Sequence, residues 1–329
     1  MSLFDDNAPP PPEQEPLSIS RSEIDTADKP LTISRAETDA AQSALLLPGD
    51  PFPSGAITDA ANVPVFVMAS QPALPEDLRV PWSWVHFAVF LVFGFASLLA
   101  VQMGFVLYYA PHMRISSQKE FEQFLLSKPE FAIGSMILWY ALIFLFLYVT
   151  LSVLRGFPFW RSLGWRKIKP RSNASSSSPW IFFFVGCGLS ILVFLLTSRI
   201  HTPEHVPIED LFRYRSTAML FMAMAVLVAP LVEETVFRGY LYPLLAKTFG
   251  VATGIIVTGL LFGIMHGAQL GWTWGLVAVL VFVGVIFTFV RARTGTVYAS
   301  FLLHLGYNFT IAFVTVVGTR GFTHMPPVR

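Results

Sequence analysis

Residues 84–109 read WVHFAVFLVFGFASLLAVQMGFVLYY and contain no aspartate, glutamate, lysine or arginine. A helix needs about 20 consecutive apolar residues to cross the hydrocarbon core of a bilayer, so this stretch is long enough for one crossing. Further apolar stretches follow along the chain at 131–154, 180–199, 217–247, 251–268, 273–291 and 297–317. The sequence therefore predicts an all-α fold, a polytopic transmembrane helix bundle of about seven or eight helices.

The composition agrees with a membrane protein. Hydrophobic residues make up 54% of the chain and charged residues 13%, whereas soluble domains usually carry about 25% charged residues. The formal net charge is +1, and no basic stripe with interleaved aromatic residues is visible, so no nucleic-acid partner is expected. The single cysteine, Cys187, excludes an internal disulfide framework.

Residues 1–80 differ from the rest of the chain, because they are polar and rich in proline, with consecutive prolines from Pro9 to Pro12. Such a segment cannot bury enough apolar surface to offset the entropy of ordering, so we predict a disordered tail. The segment from Leu17 to Asp25 (LSISRSEID) is nearly repeated from Leu31 to Asp39 (LTISRAETD). This repeat is either a duplicated docking motif for a partner or tandem drift in an unconstrained tail, and drift is the favoured interpretation.

The distribution of lysine and arginine predicts which helix ends face the cytoplasm. The loop at 155–171 is the most basic connection, and short basic loops stay in the cytoplasm. Its basic residues are Arg155, Arg161, Arg166, Lys167, Lys169 and Arg171. Because two helices precede this loop, the N-terminus is also expected in the cytoplasm, in a multi-pass protein of the plasma or inner membrane.

Charged side chains inside the apolar stretches are few and lie in the second half of the chain. The fourth stretch contains APLVEETVFRGYLYP at 229–243, and charged groups within hydrocarbon are costly enough to be candidates for function. Glu234 and Arg238 are four residues apart with the acid first, which is the favourable helical spacing for an ion pair. Glu233 points about 100° away from Glu234. We therefore expect the arginine to hold one carboxylate and to leave the other for chemistry.

Polar side chains in two later stretches can meet these acids. The turn between the fourth and fifth stretches falls near Gly250, about midway between Glu233 and His266. In an antiparallel hairpin, residues equidistant from the turn lie at one level, here about 25 Å from it. Glu233 and His266 are therefore expected to face each other. His304 and Asn308 are four residues apart and share one face of the last helix.

Other interpretations remain open for these residues. A single histidine in an apolar helix is often a hydrogen-bonded core group, and a glutamate–arginine pair can be a folding lock or part of the ion path of a transporter. Transporters often contain internal repeats of their helices, and none is visible in this sequence. The combination of two carboxylates, two histidines, an arginine and an asparagine favours a functional site.

Three short motifs resemble those of the CPBP family, which comprises the type II CAAX prenyl endopeptidases and the bacteriocin-processing enzymes. Glu-Glu-x-x-x-Arg at 233–238 looks like the first motif of that family, Phe-x-x-x-His at Phe262 and His266 like the second, and His-x-x-x-Asn at His304 and Asn308 like the third. The resemblance covers about residues 215–318. It implies hydrolysis of a peptide bond within the membrane, in a membrane-associated or lipidated substrate.

The resemblance also implies roles for the motif residues. By it, Glu233, assisted by His266, activates the water. His304 and Asn308 polarise the scissile carbonyl and stabilise the oxyanion, a contribution of several kcal/mol when the donors are preorganised. The residues expected to support the site are Glu234, Arg238 and Phe262.

Two chemical versions of this site remain open. The family has also been described as metal-dependent, and Glu233, His266 and His304 would then be zinc ligands that leave one position for water. However, the sequence contains no His-Glu-x-x-His motif, and a carboxylate–histidine site can activate water without a metal. A glutamic-type mechanism with no cofactor is favoured. The alternative outside enzymes is a non-catalytic membrane scaffold or immunity protein.

The sequence thus predicts four parts: a disordered cytoplasmic tail at 1–80, N-terminal transmembrane helices at 81–214, a catalytic transmembrane core at 215–318 and a short tail at 319–329. Membrane lipid and a peptide or protein substrate are the expected partners. Prenylated CAAX proteins, peptide pheromones, bacteriocin leaders and membrane-protein fragments all remain possible substrates.

Overall fold

The computed structural model describes residues 75–112, 120, 124, 128–168, 178–200 and 206–323. These residues form helices joined by connections, and no strand occurs among them. The repeat at residues 17–39 lies outside the described part of the chain. Within the region predicted as a tail, Glu76–Leu78 forms a 3₁₀ helix and Leu78 is buried.

The described helices are, in chain order, α1 (Trp84–Tyr109), α2 (Pro129–Tyr148), α3 (Phe159–Ser162), α4 (Trp180–Thr197), α5 (Arg215–Leu227), α6 (Ala229–Glu233), α7 (Tyr242–Phe249), α8 (Val251–Met265), α9 (Trp274–Thr294) and α10 (Val297–Gly318). Two π-helical segments interrupt this series, Val149–Val153 after α2 and Glu234–Leu241 between α6 and α7. Further 3₁₀ helices lie at Ala110–His112 and Pro207–Phe212.

Six helical stretches in the described chain are long and apolar enough to cross a membrane. They are Trp84–Tyr109, Ile133–Val153, Trp180–Thr197, Arg215–Phe249, Trp274–Thr294 and Val297–Gly318. The predicted all-α, multi-pass membrane fold is confirmed. The stretch predicted at 251–268 is helical as α8, whose 15 residues extend only about 22 Å along a hydrocarbon core of about 30 Å.

The stretch from Arg215 to Phe249 is one long span built from successive helical segments. α5 ends at Leu227 and α6 begins at Ala229, so the helix is interrupted beside Pro230. Proline is tolerated in the first turn of a helix because the N–H that it lacks has no helical partner there. The whole stretch of 35 residues is one candidate membrane span by length and composition.

The π-helical segment from Glu234 to Leu241 is the feature of this span that the sequence did not predict. It begins at the second acid of the first motif and ends three residues after Arg238. π-helical turns are rare and occur frequently at functional sites. The acids and the arginine are therefore carried by an unusual backbone conformation and not by a regular α-helix.

The turn between α7 and α8 lies at Gly250, as predicted. Gly250 has φ +87°, a conformation that favours glycine because it lacks a Cβ atom. The chain reverses there, and α8 packs against α7 and α9. This reversal brings the second motif back along the first.

α4 and α10 pack with their backbones close together. A Cβ atom on Gly186 would lie 2.0 Å from the carbonyl oxygen of Leu303, and one on Gly306 would lie 2.0 Å from the carbonyl oxygen of Phe183. Only glycine permits this approach. The contact holds the part of α10 that carries His304 and Asn308.

Candidate active site

Glu234 and Arg238 form the ion pair that their spacing predicts. Nη1 of Arg238 lies 3.0 Å from Oε1 of Glu234, and both side chains are completely buried. A charge in such a place is stable only when it is paired and hydrogen-bonded. Glu234 is therefore the acid of the motif that the arginine holds.

Arg238 also binds α9 through its remaining nitrogens. Nη2 donates to the carbonyl oxygen of Gly284 at 2.9 Å, and Nε donates to Oγ1 of Thr288 at 3.3 Å. The guanidinium carbon lies 4.4 Å from the ring centre of Phe262 and 5.3 Å from that of Phe287. The aromatic faces and the three acceptors together compensate for the loss of water around this cation.

His304 contacts both acids of the first motif. Its Nδ1 lies 3.0 Å from Oε1 of Glu234, and its Nε2 lies 3.8 Å from Oε2 of Glu233. An ionised carboxylate can only accept hydrogen bonds, so Nδ1 carries the proton in the contact with Glu234. The other ring nitrogen is thereby directed toward Glu233.

The two adjacent acids differ in their surroundings. The side chain of Glu234 is 0% exposed, whereas that of Glu233 is 18% exposed. Glu234 lies 3.0 Å from both Arg238 and His304. The ion-pair contact of Glu233 with His304 is longer, at 3.8 Å. Glu233 is consequently the more accessible acid.

His266 follows the last residue of α8. Its Nδ1 is hydrogen-bonded to the carbonyl oxygen of Phe262 at 2.7 Å, and the two rings pack with centres 4.7 Å apart. Among the described ion pairs, none joins His266 to Glu233 or Glu234. The histidine that lies within ion-pair distance of Glu233 is therefore His304.

Phe262, a residue of the second motif, packs against residues of all three motifs. Besides Arg238 and His266, its ring packs against His304, with ring centres 5.9 Å apart. The side chain is 2% exposed. One aromatic ring thus contacts the arginine and both histidines.

Asn308 shares a face of α10 with His304 but contacts a different helix. Its Nδ2 donates a 2.7 Å hydrogen bond to the carbonyl oxygen of Ala225 in α5. The contact joins the last helix to the start of the long span. Ala225 carries no functional side chain, so no sequence pattern could have predicted this partner.

The connection at 163–166 also supports the site, although the sequence predicted only a loop there. Leu163 is fully buried, and a Cβ atom on Gly239 would lie 2.6 Å from its carbonyl oxygen. Nε1 of Trp165 donates to Oγ1 of Thr235 at 3.1 Å. In the sequence, the presence of tryptophan and glycine in this basic loop could have indicated that the loop packs against the π-helical segment.

The sequence also predicts a possible zinc site, with Glu233, His266 and His304 as its ligands. The part of the chain that the structure describes contains no group of three or more histidine, cysteine or acidic side chains arranged to hold a metal ion. Nδ1 of His304 is occupied by Glu234, so Nε2 is the ring nitrogen of this histidine that could bind a metal. Of the three predicted ligands, Glu233 and His304 are in contact, with Oε2 and Nε2 3.8 Å apart.

The fold and the site define a class of protein: a multi-pass helical membrane protein with a buried glutamate–arginine–histidine cluster in its second half. A family model described as "Type II CAAX prenyl endopeptidase Rce1-like" matches residues 215–310, which include all three motifs. This match confirms, over residues 215–310, the resemblance inferred from the motifs. Neither a curated protein nor a solved structure matches the chain.

Proposed function

We propose that this protein is an intramembrane endopeptidase that hydrolyses a peptide bond in a membrane-associated or lipidated peptide, with Glu233 activating the water. The observation that carries the proposal is the difference between the adjacent acids. Glu234 is buried against Arg238, whereas Glu233 is partly exposed and faces His304. A carboxylate that faces a histidine, and is not bound to the arginine, is available to accept a proton.

In the proposed reaction, a water bound to Glu233 transfers a proton to this carboxylate while its oxygen attacks the scissile carbonyl carbon. The carbon–nitrogen bond then breaks, and the proton passes from Glu233 to the nitrogen of the leaving amine. The resemblance of the motifs to the CPBP family implies that His266 is the histidine that assists Glu233. His304 is a second candidate for that role, because its Nε2 lies 3.8 Å from Oε2 of Glu233.

His304 and Asn308 are the proposed donors to the oxyanion. The amide nitrogen of Asn308 carries two hydrogens, and the bond to Ala225 uses one of them. The second remains for a substrate oxygen. Loss of one such donor typically lowers kcat about 10²–10³-fold.

We propose that this chemistry proceeds without a metal and that no cofactor is needed. The support is the contact between Glu233 and His304, in which Oε2 of the acid lies 3.8 Å from Nε2 of the histidine. A carboxylate with a neighbouring histidine supplies both the base and the proton carrier that hydrolysis requires. The zinc-dependent version differs in a measurable quantity, the metal content of active enzyme.

The proposed substrate is a lipidated C-terminal peptide of the CAAX type, in keeping with the family of the domain. The basic loop at 155–171 and the N-terminus are assigned to the cytoplasmic side of the plasma or inner membrane. The tail repeat remains a candidate for docking a protein partner.

The proposal is tested with the full chain purified in detergent and a fluorogenic peptide that ends in a prenylated CAAX sequence. The wild-type protein should cleave it, and Glu233→Gln should not. Glu209→Gln is the matched control, because it removes the same charge at an exposed position outside the site. Cleavage that is equal in wild type and Glu233→Gln would disprove the mechanism. Binding of the peptide by folded wild-type protein without cleavage would support the non-catalytic scaffold instead.

A further inference from the structure

A cavity of about 410 Å³ opens at the end of the bundle where α1 begins. Its lining includes four basic side chains, Arg79, Arg161, Arg166 and Lys247, and two acidic ones, Glu76 and Asp77. The volume is within the range of about 300–1,000 Å³ that is usual for small-molecule sites.

The acids of the lining are already engaged by arginines. Oδ2 of Asp77 lies 2.9 Å from Nη1 of Arg291, whose side chain is buried. Oε1 of Glu76 is shared between Arg166 at 3.1 Å and Arg161 at 3.5 Å. One carboxylate thus serves two arginines, so the lining carries an excess of positive charge.

The pair between Arg161 and Glu76 is weak enough to open for a ligand. Both side chains are largely exposed, 71% and 58%, and their contact is long. Exposed ion pairs of this kind contribute little to stability. Lys247, at the end of α7, adds an exposed positive charge on another wall of the cavity.

The cavity lies at the level where a bilayer has its headgroups. Trp84 begins α1 beside it and donates from Nε1 to Oγ1 of Thr248, which follows Lys247. Trp160, next to Arg161, is 49% exposed. Tryptophan is enriched at the boundary between hydrocarbon and water. The cavity is also separate from the candidate active site, because Lys247 lies fourteen residues after Glu233, about 20 Å along the helix.

We propose that this cavity binds the phosphate group of an anionic membrane lipid. Arginine binds phosphate through paired N–H donors and lysine binds it as a point charge, and both types are present. Basic pockets at the ends of transmembrane helices are suited to such headgroups. A free phosphate ion has the same chemistry, and the experiment separates the two sources.

The test measures lipid binding to the purified full chain in detergent, by native mass spectrometry and by the melting temperature. Phosphatidylglycerol should bind and raise the melting temperature, and phosphatidylcholine should not. Lys247→Gln and Arg161→Gln should each weaken binding about five-fold, equivalent to about 1 kcal/mol. Glu76→Gln should strengthen binding, because it removes the competing carboxylate.

Arg293→Gln is the matched control, because Arg293 is exposed at the end of α9 beside Arg291 but does not line the cavity. Its affinity for phosphatidylglycerol should equal that of the wild type. An equal loss in Arg293→Gln and Lys247→Gln would show a diffuse surface charge and overturn the proposal. So would stabilisation by inorganic phosphate equal to that by phosphatidylglycerol, since the ligand would then be a soluble anion.

Discussion

The Nδ1 atom of His304 lies 3.0 Å from Oε1 of Glu234, while the other ring nitrogen lies 3.8 Å from Oε2 of Glu233. One histidine thus contacts two acids that are adjacent in the sequence and differ in burial. Glu234 is enclosed with Arg238, and Glu233 remains accessible. The two acids are therefore expected to respond differently to the same substitution.

Replacing Glu234 by glutamine should lower the free energy of unfolding by about 3–5 kcal/mol, because it leaves Arg238 as an uncompensated buried charge. Glu233→Gln is the natural comparison and should cost less than about 1 kcal/mol, since that side chain is partly exposed. Melting of both variants in one detergent measures the difference. A larger loss in Glu233→Gln would show that the two roles are reversed.

Glu233→Ala, His304→Ala and His266→Ala should each abolish cleavage of a genuine substrate while membrane insertion is retained. For Glu233 the reason is the loss of the proposed base. The two histidine variants distinguish His266, which was predicted to face Glu233, from His304, which contacts it in the structure. If His304→Ala is inactive and His266→Ala is active, His304 alone assists the activation of water. Full turnover by purified Glu233→Ala protein would rule out the mechanism.

Active enzyme should contain negligible zinc. On the glutamic-type mechanism nothing is lost when metal is removed, whereas zinc held by Glu233, His266 and His304 would be essential. Elemental analysis of purified, active protein measures this more cleanly than a chelator, which can fail to reach a buried ion. Zinc that is near-stoichiometric, tracks activity across preparations and disappears in His304→Ala would establish the metal-dependent version.

Deleting residues 1–74 should leave hydrolysis of a short, freely diffusing peptide unchanged, because this region is predicted to be a disordered tail. Asp77→Asn is the informative contrast. It removes the partner of the buried Arg291 and should destabilise the protein by about 3–5 kcal/mol. Activity assays and melting curves on both proteins separate the tail from the ordered segment after it. Loss of peptide hydrolysis on deletion would make the tail part of the catalytic machinery.

Gly186→Ala should destabilise the protein by about 1–3 kcal/mol, since its Cβ atom would lie 2.0 Å from the carbonyl oxygen of Leu303 and force α4 away from α10. Gly188 lies on the same helix, and a Cβ atom there would meet nothing within 4 Å. Gly188→Ala should therefore be neutral or stabilising by up to about 1 kcal/mol. Equal melting temperatures of the two variants would contradict the close packing of these helices.

The sequence predicted the local features of the site well and its contacts between helices less well. Glu234 and Arg238 lie in one helical segment, so their spacing was enough to predict the ion pair. The hairpin at Gly250 followed from a local turn signal. The expected meeting of Glu233 with His266 relied on level alone and stays a prediction. Level does not specify how helices are rotated about their axes, and the described ion pair of Glu233 is with His304.

The sequence by itself determined that this is a membrane protein of apolar helices and that residues 215–310 resemble the Rce1-like proteases. Hydropathy and short motifs are properties of neighbouring residues, so they can be recognised without the fold. The tertiary structure alone decided that Glu234 binds His304 and that Asn308 binds a backbone carbonyl in α5. It also decided that the chain is π-helical after Glu233. These features depend on the rotation and close approach of helices far apart in the chain, which packing against neighbouring helices sets.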